Sequence, residues 1–175
     1  VPLLCLTGQV PTHLIGTDAF QEADTVGITA SCTKHNYLVK DIEDLESTIA
    51  EGFYVARSGR PGPVVIDLPK DVQNSVTNFK SIKVKSMTSY KPAKKAKLNN
   101  VKLAIDAILK AKKPIIYSGG GVINSGVKAS RLLTDLVDYL NIPITQTLMG
   151  LGAVSANHKN FLGMLGMHGT YEANM

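Results

Sequence analysis

The 175-residue sequence has no tryptophan, and aromatic residues make up only 6% of it. So thin an aromatic complement leaves no stacking surface for nucleic acid. No apolar run approaches the ~20 residues of a bilayer-crossing helix. Cysteine is scarce too: Cys5 and Cys32 each sit among apolar or small residues, and read as buried reduced thiols rather than a disulfide or metal pair. No glycine-rich stretch ends in Gly-Lys-Ser/Thr, so there is no nucleoside-triphosphate loop. Nothing in the spacing of His, Cys, Asp and Glu marks a metal site.

What is present is an ordinary globular composition, 44% apolar, with an uneven charge. Residues 1–75 carry five basic and ten acidic side chains, residues 80–113 eleven basic and one acidic, and residues 114–175 three of each. One lysine-rich stretch therefore supplies the whole net charge of +5. Its lysines lack interleaved arginines or aromatics, so it reads as a solvated linker and helix face, not a nucleic-acid arm. The chain opens at Val1 inside an apolar run and stops at "GTYEANM" without a closing signal. It reads as a piece of something longer, so a targeting segment is not assessable.

The pattern is that of an α/β protein built from parallel-sheet units. "PLLCLTG" reads as a buried strand. Ile42, Leu45, Ile49, Phe53 and Ala56 mark one helical face, with Asp41 as N-cap and Ser58-Gly59 as stop. Val64–Leu68 forms the next strand. Residues 76–98 dissolve into a basic linker, which divides the chain into units 1–75 and 99–175. In the second unit Asn99 or Asn100 can cap a helix with Val101, Ala104, Ile105, Ile108 and Leu109 on one face. Ile115–Tyr117 is a strand. A helix follows with Ala129, Leu132, Leu133, Leu136, Val137 and Leu140 on its buried side. "NIPITQT" and "FLGMLGMHG" supply further strands.

Glycine is where the sequence turns toward function. "KPIIYSGGGVINSG" places three glycines after a strand and before a helix, which fits a close approach to an anion or a tight structural turn. The spacing is not the usual dinucleotide fingerprint. "TQTLMGLGA" and "GMLGMHG" are also glycine-bearing and follow strands. Loops after parallel strands emerge at one edge of a sheet, where three together would suit a large nucleotide.

The segments "GQVPTHLIGTDAFQEAD", "CTKHNYLV", "SGRPGPVVIDLPKDV", "PIIYSGGGVINSG", "PITQTLMGLGA" and "FLGMLGMHGTYEANM" together resemble the catalytic large subunits of the acetolactate synthase (acetohydroxyacid synthase) family. "GRPGPV" is common to many thiamine-diphosphate enzymes; "GTDAFQE" with "LGMLGMHGTYEAN" is narrower and resembles the FAD-containing biosynthetic form. The resemblance implies that residues 1–75 are the later part of a pyrimidine-binding domain. It likewise makes residues 99–175 the first part of a central FAD-binding domain. It gives the FAD site to Arg60, Gly119, Gly120, Gly121, Thr147, Leu148, Met149, Leu165, Gly166, Met167, His168 and Gly169. It puts Phe20 and Gln21 near thiamine diphosphate, and Pro11, Ala19, Lys70 and Met167 along the substrate and inhibitor channel. On the residues alone, Gln21 is an ordinary loop amide, Phe20 a core aromatic, Lys70 a solvated cap, and His35 a packed or hydrogen-bonded ring.

The implied reaction is decarboxylation of pyruvate on thiamine diphosphate, then condensation with pyruvate or 2-oxobutanoate, in branched-chain amino-acid synthesis. FAD there has no net redox role. The resemblance also implies Mg2+, a homodimer or higher oligomer, a regulatory small subunit, and a cytoplasmic location if the source is bacterial. Neither the family's glutamate that contacts the aminopyrimidine nor a Gly-Asp-Gly segment for diphosphate and magnesium is among these residues. The isolated chain is therefore expected to be inactive. The alternatives are a non-catalytic nucleotide-binding module and another thiamine-diphosphate carboligase or decarboxylase.

Overall fold

A computed structural model describes residues 1–79, 81–84, 87–93 and 95–175; Lys80, Lys85, Ser86 and Lys94 of the expected linker lie outside it. The chain divides into two compact units, Val1–Lys95 and Ala96–Met175.

The first unit is a three-stranded parallel sheet of order β1-β3-β2, with β1 at Leu3–Gln9, β2 at His35–Leu38 and β3 at Pro63–Pro69. β3 is central, and its apolar run, interrupted only by Asp67, is what burial on both faces demands. Val64 and Ile66 are wholly buried. Helix α1 (Thr25–Ala30) precedes β2, α2 (Leu45–Arg57) links β2 to β3, and α3 (Lys70–Gln73) follows β3 directly. Asp41 does cap, but it caps a short 3-10 turn, Ile42–Asp44, that leads into α2.

The expected apolar face holds except at Phe53: Ile42, Leu45 and Ile49 pack against Val39, Ile66 and Val72, and Ala56 is buried. Phe53 is half exposed, and α2 meets the sheet through Gly52, Val55 and Ala56. A Cβ on Gly52 would lie 2.8 Å from Leu4 Cδ1. That close approach lets the helix settle against β1 and β3. Neither cysteine is fully buried, and Cys32 is exposed, because α1 ends in an open turn before β2.

The described residues of 74–95 form no helix or strand, yet they are anchored. Met87 and Tyr90 pack against Val55, Ala56 and Val64, and the Tyr90 hydroxyl donates to the Ser58 carbonyl at 2.8 Å. Lys34 Nζ donates to the carbonyls of Val55 and Ser58 at the end of α2 and lies 5.0 Å from the Tyr90 ring centre.

On β2, burial pushes the Tyr37 hydroxyl up to about 12, with the Glu51 carboxylate adding to the effect. A tyrosine held protonated in the fold but free to ionise when unfolded favours folding below pH 10. That advantage is lost as pH rises from about 10 toward 12. Melting temperatures of the whole subunit across this window should fall more steeply for the native sequence than for Tyr37→Phe.

The second unit opens with α4 (Leu98–Lys110), followed by β4 (Ile116–Ser118), α5 (Gly120–Asn124), α6 (Val127–Leu140), β5 (Ile144–Gln146), β6 (Phe161–Met164) and α7 (Tyr171–Asn174). The sheet is parallel, of order β4-β5-β6. Its core is Val137, Ile144 and Val154, with Ile116, Leu133 and Phe161 packed around them. α4 begins at Leu98, so Asn99 and Asn100 lie in its first turn and do not cap it. Its apolar face is largely exposed. On α6, Val137 and Leu133 face the core, whereas Leu132 and Leu136 do not. Three strands cover only part of the stripe that the helical period marks out.

Candidate functional site

Because β4, β5 and β6 run parallel, the segments following them leave the sheet at one edge. Those segments are Gly119–Gly121, Thr147–Met149 and Leu165–Gly169. Thus every FAD-site residue expected in the second unit shares one rim. The first two loops touch backbone to backbone. Thr147 N–H donates to the Ser118 carbonyl at 2.9 Å, and a Cβ on Gly150 would lie 2.5 Å from that same oxygen.

The three glycines do different jobs. A Cβ on Gly120 would come within 3.0 Å of the Met149 carbonyl oxygen, so this position must stay small for the loops to meet. Gly119 has ordinary extended backbone and needs no glycine on that account. Gly121 has nothing within 4 Å of where its Cβ would stand. The chain's own packing does not explain Gly121, and open space there leaves room for a ligand. The long helix, however, does not start at the glycines. They enter the five-residue α5, and the chain breaks at Gly126, φ 89°, before α6. The anion site expected at the head of a long helix is therefore not formed there.

The third loop is tied to the end of the chain. Gly166 N–H donates to Asn174 Oδ1 at 2.9 Å, and Asn174 Nδ2 donates back to the Gly166 carbonyl at 3.0 Å. Gly169 N–H closes the turn onto the Gly166 carbonyl at 2.9 Å. So held, the rim presents Leu148, Met149, Leu165 and Met167, all exposed, with Met167 at 91%. His168 is also exposed. Beneath them Ser118 Oγ is buried, and among the described residues it has no hydrogen-bond partner. An apolar rim over backbone amides and an unpaired hydroxyl suits a flat ring system joined to a polar chain.

The first unit has a rim of its own, at the carboxyl ends of β1 and β3. β1 feeds the loop 10–24, which carries Pro11, Ala19, Phe20 and Gln21, and β3 feeds α3, which starts at Lys70. Asp71 joins the two, accepting from the Thr12 N–H at 3.0 Å and the Thr12 hydroxyl at 2.5 Å. The Thr12 hydroxyl and then its N–H hold the Asp71 carboxyl below its usual value. Asp67, 1% exposed, accepts from the Thr7 hydroxyl at 2.7 Å and Gln9 Nε2 at 2.9 Å. Gln9 Nε2 also donates to the Ala23 carbonyl at 2.6 Å, which draws in the far end of the loop.

Phe20 is not a core aromatic: it is 89% exposed at the loop's outer side, because the turn around it points away from the sheet. Pro11, Ala19, Phe20, Gln21 and Lys70 thus fall on one edge, while Met167 belongs to the other unit. Arg60 lies in the turn before β3, at the opposite edge of the first sheet from Phe20. His35 opens β2 with its ring exposed and edge-on to Tyr37 at 4.5 Å, so it is neither buried nor part of either rim.

Sequence reasoning missed Gln9, Glu22, Asp67, Asp71 and Ser118. For Asp67 a signal existed: a lone carboxylate within the apolar run "VVIDL" must find donors to be buried.

Parallel sheets with glycine-bearing loops at their carboxyl edges define an α/β cofactor-binding class. A sequence profile described as the thiamine pyrophosphate enzyme central domain matches residues 101–175. Along its whole length the chain is 49% identical to the acetolactate synthase isozyme 3 large subunit of Escherichia coli (strain K12), covering 30% of that protein. It is 47% identical to the acetolactate synthase large subunit of Haemophilus influenzae, with 99% of this chain and 30% of that one aligned. Against the large subunit from Corynebacterium glutamicum it is 44% identical, over 99% of this chain and 27% of that one. The chain is similar throughout to acetolactate synthase large subunits, which are thiamine-diphosphate enzymes, and spans about 30% of the length of these relatives.

Proposed function

We propose that this chain serves, within a longer subunit, an acetolactate synthase that decarboxylates pyruvate and joins the two-carbon unit to pyruvate or 2-oxobutanoate. The observation that carries this reading is the meeting of three glycine-bearing loops on one rim of the second unit, in a chain similar throughout to such subunits. Thiamine diphosphate supplies the carbanion chemistry when bound. Residues 1–75 then act as the later part of its pyrimidine-binding domain, and residues 99–175 as the first part of an FAD-binding domain.

The roles follow from the side chains. Gly119, Gly120 and Gly121 with Thr147 offer backbone amides and small surfaces to FAD. Leu148, Met149, Leu165, Met167 and the backbone of Gly166 and Gly169 offer apolar cover, and His168 a ring nitrogen. The open face of Gly121 supports this fit. Arg60, always charged and able to donate two parallel hydrogen bonds, suits the FAD diphosphate.

Phe20 excludes water beside the reacting end of thiamine diphosphate, and the Gln21 amide hydrogen-bonds a substrate oxygen. Pro11 and Ala19 line the channel, where the Lys70 ammonium attracts the carboxylate of a 2-oxo acid. No residue here is assigned to the diphosphate or to Mg2+. A homodimer or higher assembly, a regulatory small subunit and a cytoplasmic setting in a bacterium complete the reading. No helix among the described residues is long and apolar enough to cross a membrane.

The test is the purified whole subunit. It should carry a flavin absorbance, form acetolactate from pyruvate, and form the mixed product when 2-oxobutanoate is added, while the 175-residue chain alone forms neither. A colourless active enzyme would remove FAD from the proposal. A different product from pyruvate would move the chain to another carboligase or decarboxylase. Nucleotide binding without turnover in the whole subunit would leave a binding module.

A further inference from the structure

The tip of the loop that carries Phe20 and Gln21 is largely exposed. Gly16, Thr17, Asp18 and Phe20 are all exposed, and Phe20 is 89% so. Its backbone is also unusual. Asp18 at φ 57° and Gln21 at φ 65° both lie in the left-handed region, which side-chain-bearing residues rarely enter. Two such residues on either side of Phe20 do not persist unless neighbouring groups hold them.

Thr17 is tied back to the Leu14 carbonyl by its N–H at 3.2 Å and its hydroxyl at 2.7 Å; around it, the holding group is one carboxylate. Glu22 Oε1 accepts from the Gly16 N–H, and Oε2 accepts from the Ala19 N–H at 3.1 Å. The Glu22 backbone N–H closes the turn onto the Ala19 carbonyl at 2.9 Å. The loop's ends are secured separately, by Gln9 to Ala23 and by Asp71 to Thr12. Between them, Gly16 and Ala19 have their N–H groups held by Glu22, and Thr17 is held by the Leu14 carbonyl.

We infer that Glu22 is a positioning residue, whose carboxylate fixes residues 16–21 in the conformation that turns Phe20 and Gln21 outward. The inference rests on the reading that this pair meets the reacting end of the cofactor. The Gly16 N–H, more than any other group, holds the Glu22 carboxyl below its usual value, so the anion persists throughout the neutral range. Both acceptor oxygens matter. In Glu22→Gln the amide can accept from one of the two N–H groups but turns a donor toward the other, so the clasp is halved. In Glu22→Ala it is gone.

The experiment is steady-state kinetics of the whole subunit with Glu22→Ala, Glu22→Gln, Phe20→Ala and Gln21→Ala. Glu22→Ala should lower kcat tenfold or more while KM for pyruvate shifts less than threefold. Glu22→Gln should recover a clear part of the loss, and flavin content and melting temperature should stay at native values in both. Native kcat in Glu22→Ala, with Phe20→Ala or Gln21→Ala impaired, overturns the positioning role alone. A loss that tracks falling melting temperature and flavin content, with no recovery in Glu22→Gln, also overturns it and leaves a merely structural contact. Native turnover in both Phe20→Ala and Gln21→Ala shows instead that the loop does not meet the cofactor, and the inference falls with that reading.

Discussion

Replacing Gly169 with alanine is expected to weaken flavin retention in the whole subunit by about a hundredfold. A Cβ at this position would stand 2.0 Å from the Met164 carbonyl oxygen and 2.9 Å from the Leu165 carbonyl carbon. Both are backbone atoms, so no side chain can swing aside; the turn itself must open. That breaks the Gly169 bond to Gly166 and the Thr170 bond to the Met164 carbonyl, 2.9 and 3.0 Å long. A loss on the order of 3 kcal/mol lies at the upper end of ordinary single substitutions. If it falls wholly on the bound form, it corresponds to roughly two decades in the dissociation constant.

Gly121→Ala is the contrasting case. With nothing within 4 Å of the new Cβ, and a helical position to occupy, the fold should be unharmed or steadier by up to about 1 kcal/mol. Flavin affinity should nevertheless fall, because the methyl group occupies the face assigned to the ligand. Flavin fluorescence titration beside thermal melts separates the two effects. Full flavin affinity in both variants would remove the second unit's rim from the FAD site.

Asp67→Ala is expected to give the largest loss of stability in the first unit. The carboxylate is 1% exposed and serves as acceptor for Thr7 and for Gln9. Its removal leaves the Thr7 hydroxyl without this acceptor and Gln9 Nε2 with only the Ala23 carbonyl, at about 1–3 kcal/mol for a donor left unpaired away from water. Asp67→Asn should cost less, because its carbonyl oxygen still accepts from one of them. The consequence reaches beyond β3. Gln9 holds the Ala23 carbonyl with the same Nε2 that donates to Asp67, so a Gln9 freed from Asp67 no longer fixes the end of the loop bearing Phe20. Denaturant unfolding should show the ranked loss, and limited proteolysis should cut earlier between residues 10 and 24. Equal stability of Asp67→Ala and the native protein would mean that the buried carboxylate does not organise this edge.

Much of the fold was legible because two periods are strong in this chain. The step of three and four in residues 42–56 and the apolar run of β3, broken only at Asp67, leave little choice of helix or strand. Two short elements of the first unit were not legible. α1 and the edge strand β2 have mixed polarity, so no period of either kind stands out in them. Which side of a long helix is buried was only half given. Leu132 and Leu133 are adjacent and equally apolar, and only packing against β4 and β5 puts Leu133 toward the core and leaves Leu132 outside.

The same division holds for the candidate site. Sequence alone determined the parallel α/β class, the glycine-bearing loops and the family resemblance, since these rest on local pattern and on motifs contiguous in the chain. Tertiary structure alone decided that the three loops of the second unit share a rim. It alone put Arg60 at the edge of the first sheet opposite Phe20, and gave Glu22, Asp67 and Asp71 their partners. Thr7 and Asp67 are sixty positions apart, as are Thr12 and Asp71 to within one, and hydrogen bonds over such separations leave no local trace. They exist only because parallel pairing of β1 with β3 lays Thr7 beside Asp67 and carries both following segments to one edge.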